Sequence, residues 1–236
     1  MSTPDDTTRT TAKVALIALT ASTASLDVTA FLRLGGVFAS VMTSNLIFVG
    51  IAAVKAEGAL GTRCAIAILS YVAGVGVGSA VAPPSGQESR LGTRALSLLL
   101  TGELAILVGF TIWWMVLAGH PQGWAQLVLL GLVACAMGGQ SAAARQLGNP
   151  NASTTYLTGT LTSLVSALAA RQRPDPEAMA VILALIAGAA AGVGLLEAAP
   201  VIVPLLALVG VGLTAALSWR IGSRPTTPGA TVAVVP

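Results

Sequence analysis

Asp27-Val28-Thr29-Ala30-Phe31-Leu32-Arg33-Leu34-Gly35-Gly36-Val37-Phe38-Ala39-Ser40-Val41-Met42-Thr43-Ser44-Asn45 interrupts an otherwise apolar chain. It puts a carboxylate and a guanidinium into a hydrophobic run, breaks helical periodicity at paired glycines, and resumes with hydroxyl and amide side chains. An Asp at the centre of a bilayer-spanning helix costs roughly 2.5–3.5 kcal/mol on insertion scales, so such a residue is kept for a role. The stretch therefore reads as a broken membrane helix.

The flanking composition agrees. Apolar residues make up 55% of the chain and charged ones only 9%, with a mean hydropathy of +0.85. A soluble domain carries about 25% charged residues, so that class is excluded. Apolar segments fall at 12–32, 36–54, 64–82, 95–118, 123–144, 153–170, 177–196 and 200–219. Each is close to the roughly 17–25 residues that a spanning helix needs. The fold class is therefore all-α, a polytopic membrane protein of about eight apolar segments, six to eight of them spanning. Residues 1–11 and 221–236 are polar or Pro/Thr/Gly-rich and read as disordered tails. No cleavable secretion signal precedes the first segment, which is expected to stay in the mature protein.

The net charge of +3 comes from basic residues beside apolar segments and forms no clustered basic face. That placement suits positive-inside topology signalling and argues against a nucleic-acid partner; the expected location is an inner (plasma) membrane, with the N-terminus cytoplasmic. Cys64 and Cys135 lie in apolar runs without a CxxC, and His120 sits in a Gly119-His120-Pro121 turn. They read as small buried hydrophobes and a loop residue, so neither a metal nor a cofactor is expected.

The chain also matches itself at an offset of about 114 residues. Gln140 to Leu147 repeats the spacing of Asp27 to Leu34, each followed by a glycine, Gly148 and Gly35. Ala73-Gly74 with Gly78 corresponds to Ala187-Gly188 with Gly192. These glycine pairs form small faces that let helix backbones approach closely. The reading is two four-segment membrane repeats, 12–118 and 123–220, each with a broken second helix. If all eight segments cross, the repeats are parallel. If segments two and six only dip in and return, the repeats are inverted; the basic residues divide eight to four in the first layout and nine to three in the second, so the charge rule does not choose between them. Segment length favours eight crossings, and Trp113, Trp114, Trp124 and Trp219 near segment ends read as interfacial aromatics.

Thr20, Thr23 and Asp27 share one helical face, which is expected to look inward. Thr43, Ser44 and Asn45 read as a helix start whose amides point at whatever precedes them, and Thr154, Thr155 and Thr158 follow the second break in the same way. Irregular backbone at membrane depth is tolerated only inside protein or along a watery cavity. The candidate solute site is thus Asp27, Thr43, Ser44, Asn45, Gln140, Thr154, Thr155 and Thr158. Arg33 and Arg145 read either as snorkelling anchors or as counter-ions. Glu103 reads either as an inward proton or counter-ion site or as a neutral carboxyl that packs helices. The competing structural reading is that the hydroxyls bond their own helices while Asn45 and Gln140 knit the halves together.

The Gly35-Gly36-Val37-Phe38 break, Met137-Gly138-Gly139-Gln140-Ser141-Ala142-Ala143-Ala144-Arg145, and Thr154 to Leu161 together resemble the YoaK family, the DUF1275 domain of bacterial integral membrane proteins. The resemblance covers roughly residues 12–220 and implies a membrane location. Ser44 stands where that family usually has Gly, and Ser25-Leu26 where a glycine is common. The expected function is a small-solute permease or transporter, proton-coupled through Asp27. Its partners are then membrane lipid, a small polar or anionic solute and a second copy in a homodimer. A scaffold or assembly role is the alternative. An enzyme using Asp27 and Glu103 is disfavoured, because the residue types of metal, triad and phosphate chemistry are missing.

Overall fold

The computed structural model describes residues 4–81, 90–146 and 157–222, and among them the regular structure is entirely helical. The elements are α1 (Pro4–Arg33), α2 (Met42–Lys55), α3 (Gly58–Val81), α4 (Arg90–Val116), α5 (Gly123–Gln146), α6 (Leu157–Ala169), α7 (Pro176–Ala198), a 3-10 turn (Pro200–Ile202) and α8 (Val203–Gly222). α1 already begins at Pro4, inside the stretch read as a tail. Five stretches are long and apolar enough to cross a membrane: Lys13–Arg33, Gly58–Val81, Leu98–Val116, Gly123–Ala142 and Pro176–Ala198.

Hydrogen bonds and an ion pair assign the ends of several helices to one end of the bundle or the other. Lys13 Nζ lies 3.2 Å from Glu177 Oε2, and Thr214 Oγ1 donates to the Ala15 carbonyl at 3.3 Å. The starts of α1 and α7 and the end of α8 are therefore together. At the other end, Gln126 donates to the Arg33 carbonyl at 2.7 Å, Trp114 Nε1 to the Pro200 carbonyl at 2.7 Å, and Arg63 Nη1 to the Gly35 carbonyl at 3.5 Å. This groups the end of α1 with the starts of α3, α5 and α8 and the ends of α4 and α7.

A parity argument follows. α1 ends where α3 begins, and α5 ends where α7 begins, so α2 and α6 make no net crossing. Among the described residues six helices run from one end of the bundle to the other, α1, α3, α4, α5, α7 and α8, and α1 runs opposite to α5 just as α3 runs opposite to α7. Eight crossings with parallel halves, the layout that segment length favours, is not the one adopted. Part of the apolar segment that opens at residue 36 is irregular chain, so α2 keeps only 14 residues. At 1.5 Å per residue that is about 21 Å, short of a hydrocarbon core about 30 Å thick.

The glycine pairs hold the two sets of four helices together. α3 and α5 run side by side in the same direction, with Gly74 against the carbonyl of Cys135 and Gly78 against Gly139 and Ala142. α7 and α1 do likewise, with Gly188 against the backbone of Ala21 and Gly192 against Ser25. A Cβ at Gly74 or Gly188 would overlap backbone. Each set thus packs its third helix on the first helix of the other set, and the two interlock.

Leu107, Phe110 and Trp114 of α4, Leu129, Val133 and Met137 of α5 and Val211 of α8 fill the space between. Trp114 is 0% exposed, stacked on Phe110 at 5.7 Å, and so does not serve as an interfacial aromatic. Its indole N–H finds the Pro200 carbonyl, which satisfies its polar atom inside protein. Leu46, Ile47, Val54, Leu69, Leu183 and Val209 point outward, as a lipid-facing surface requires.

Candidate functional site

Gly35 and Gly36 have φ of +108° and +80°, a region that side-chain-bearing residues rarely adopt, and a Cβ on Gly35 would overlap the Arg63 side chain. The chain turns back there and runs down along α1. Asp27 receives it: Oδ1 accepts the amides of Ala39 at 2.9 Å and Ser40 at 2.8 Å, and Oδ2 accepts the Ser40 hydroxyl. Asn45 closes the other side, accepting the Phe38 amide at 3.0 Å and donating to the Phe38 carbonyl at 2.7 Å. Phe38 itself stacks between Phe31 at 5.0 Å and Phe48 at 6.4 Å.

Asp27 stands six residues before the end of α1, so the chain descends about 9 Å before α2 carries it back. Residues 34–55 form a re-entrant segment. Its helix begins at Met42 behind Val41, which makes no side-chain cap. Asn45 is 0% exposed and committed to Phe38, whereas Thr43 is exposed and Ser44 half-buried. The amides ahead of the helix are therefore taken by Asp27 instead of pointing at an open cavity. Arg33 does not pair with Asp27. Its guanidinium meets His120 Nδ1 at 2.9 Å and the Leu196 carbonyl at 3.4 Å, at the end of the bundle.

Of the second-half residues, Thr154 and Thr155 lie outside the described residues, as does the side chain of Arg145. Thr158 is exposed on α6, and its carbonyl accepts the Thr162 hydroxyl at 2.9 Å. α2 packs on α3 and α6 on α7, so Asn45 and Thr158 belong to different helix pairs.

Gln140 turns toward α1 and α4. Its Oε1 accepts the Thr23 hydroxyl at 3.1 Å, and its Nε2 donates to Glu103 Oε1 at 2.7 Å. The Thr23 hydroxyl also lies 3.0 Å from the Leu19 carbonyl. Thr23 is 1%, Gln140 7% and Glu103 4% exposed, and Glu103 Oε2 has no hydrogen-bond partner. A buried chain Thr23–Gln140–Glu103 thus links three traversing helices at one depth. Buried polar groups are normally satisfied, and an orphaned oxygen in a low-dielectric interior is expensive enough to require a reason. Sequence reasoning named Gln140 and Glu103 and put Thr23 on the inward face, but did not connect them. Their contact depends on the opposite run of α1 and α5, which no local motif encodes.

Thr20, Ser22, Thr29 and Thr111 donate to carbonyls four residues back, as hydroxyls in membrane helices commonly do.

Residues 15–218 match the family described as "Protein of unknown function (DUF1275)". Over 158 residues, 67% of each chain, the sequence is 31% identical to the UPF0700 transmembrane protein YoaK of Bacillus subtilis (strain 168). No solved structure matches it. The family match runs from α1 into α8 and takes in both the re-entrant segment and the buried polar chain; this membrane protein belongs to the DUF1275 family.

Proposed function

We propose that the protein is a permease for a small polar solute, with Thr23, Gln140 and Glu103 as its polar centre. The observation that carries the reading is Glu103 Oε2, a carboxyl oxygen buried without a partner where α1, α4 and α5 meet. Ionisable groups inside a membrane bundle characteristically mark solute or proton paths. Opposed sets of helices with interrupted segments are also the architecture in which many secondary transporters place a midplane site. Asp27 and Asn45 then serve the path indirectly, by holding the re-entrant segment.

Lys13, Arg90, Arg94, Arg145, Arg171, Arg173 and Arg220 belong to segments at the end of the bundle where α1 starts, against Arg33, Lys55 and Arg63 at the other. By the positive-inside bias this distribution supports a reading in which the start of α1 and the end of α8 face the cytoplasm of a plasma membrane.

A scaffold role is the second reading, favoured by the completeness with which Asp27 and Asn45 satisfy the first break. Stopped-flow light scattering separates the two. Liposomes holding the purified protein are mixed with a panel of small neutral and anionic solutes, and their swelling rates are compared with those of protein-free liposomes. A severalfold faster rate for at least one solute, lost in Gln140→Leu, supports the permease. Rates equal to protein-free vesicles across the panel support the scaffold.

A further inference from the structure

The two links of the chain Thr23–Gln140–Glu103 can be made in two ways, both of which leave Glu103 Oε2 without a partner. In the first, the Thr23 hydroxyl donates to Gln140 Oε1, and the Gln140 amide donates to a Glu103 carboxylate, at 3.1 and 2.7 Å. In the second, the Gln140 amide is turned over. A protonated Glu103 then donates to the Gln140 carbonyl oxygen, the amide N–H donates to the Thr23 hydroxyl oxygen, and that hydroxyl donates to the Leu19 carbonyl, already at 3.0 Å. The same heavy-atom positions serve both, because the two ends of a glutamine amide have nearly the same shape.

We propose that Thr23, Gln140 and Glu103 form a two-state proton-binding site in which the Gln140 amide turns over as Glu103 gains or loses its proton. The proton passes between water and the Glu103 carboxyl, and no other bond is made or broken. Thr23 and Gln140 are positioning residues: their hydrogens rearrange so that neither state breaks the chain. Thr23 is suited to this because its hydroxyl has two acceptors within reach, one for each state. Asp27 differs, because its oxygens meet three donors and have no exchangeable amide between them.

Among the described side chains no charge stands against Glu103 that would lock one state. The elements packed on α4 are α5, α8 and, more lightly, α3 and the 3-10 turn, which carries no titratable side chain. α5 contributes Cys135 among its described side chains, α8 contributes no titratable group among its described side chains, and α3 carries Arg63, Cys64 and Tyr71. On α1, Asp27 lies one helical turn beyond Thr23 and is committed to Ser40 and Ala39, while Lys13 and Arg33 sit toward the helix ends. Among the described residues no cation pairs with Glu103, and the ion pair Lys13–Glu177 is at the bundle end.

That transport uses this proton rests on the permease reading, but the site is testable without it. Infrared difference spectra of the full-length protein in lipid discs, taken across reversible pH steps, read the carboxylic C=O band directly. A titrating band is expected in the wild type, retained in Asp27→Asn, shifted in frequency in Thr23→Val, and lost in Glu103→Gln. If Glu103→Gln does not fold, Glu103→Asp moves the carboxyl by one methylene, and its band should shift in midpoint or frequency. A Glu103→Gln spectrum indistinguishable from wild type, or an unshifted Glu103→Asp, overturns the proposal. Vesicles that pass no solute yet keep the Glu103-dependent band reject the permease and leave the proton site standing.

Discussion

Asp27 and Ser40 are joined twice across thirteen residues, by the Ser40 amide to Oδ1 at 2.8 Å and by the Ser40 hydroxyl to Oδ2. With the Ala39 amide on the same carboxyl, this fixes the depth to which the re-entrant segment descends. A carboxylate inside the bundle is thus committed to backbone donors that would otherwise be buried unmet.

Asp27→Ala leaves two buried amides without an acceptor. At about 1–3 kcal/mol for each unsatisfied donor, the loss is several kcal/mol, whereas Asp27→Asn keeps a carbonyl oxygen for both amides and costs about 1 kcal/mol. Thermal melts in detergent should rank wild type, Asp27→Asn and Asp27→Ala in falling order. Equal melting of Asp27→Ala and wild type contradicts the pinning role.

The glycine faces make a sharper contrast. Gly74→Ala and Gly188→Ala each drive a methyl into backbone of the neighbouring helix, whereas Gly76→Ala and Gly194→Ala meet nothing within 4 Å. Overpacking of this kind costs about 1–3 kcal/mol. Size-exclusion profiles and melts should show the first pair destabilised and the second at or above wild type, since Ala is the better helix former by about 1 kcal/mol.

Two interactions at the start of α7 test magnitude. Asp175 caps the helix by accepting the Glu177 amide at 2.9 Å, and Glu177 pairs with Lys13 across a solvent-exposed gap. An N-cap carboxylate is worth about 1 kcal/mol, while exposed ion pairs contribute about 0.2–1 kcal/mol and are screened by salt. Asp175→Ala should therefore lower the melting temperature more than Lys13→Gln, and only the Lys13→Gln difference should vanish at high salt. The reverse order would contradict this assignment.

Much of the fold is legible in the chain itself. The apolar runs, the Gly35-Gly36 break and the paired glycines at 74/78 and 188/192 are local signals, and each has a direct counterpart in a helix, a turn of positive φ or a close backbone approach. Direction is not local. Whether α2 crosses depends on where Arg33 and Arg63 end up relative to each other, and apolar length alone overstates the helix because residues 34–41 carry apolar side chains on irregular backbone. The Thr23–Gln140–Glu103 chain is hidden for the same reason, since Gln140 aligns with Asp27 in sequence but meets α1 and α4 once α5 runs opposite to α1. Trp114 shows the limit of position near a segment end as a guide, because a neighbouring carbonyl can replace the interface.

The opposite runs of α1 and α5 and of α3 and α7 underlie the polar centre and the proposed orientation in the membrane, and cysteine labelling probes them directly. In a Cys64→Ala, Cys135→Ala background, Glu57→Cys and His120→Cys occupy exposed positions at one end of the bundle, and Gln172→Cys an exposed position at the other. A membrane-impermeant maleimide applied to intact cells should label Glu57→Cys and His120→Cys, with Gln172→Cys reacting only after permeabilisation. Labelling of Glu57→Cys and Gln172→Cys from the same side would mean that α2 crosses, and would contradict the arrangement.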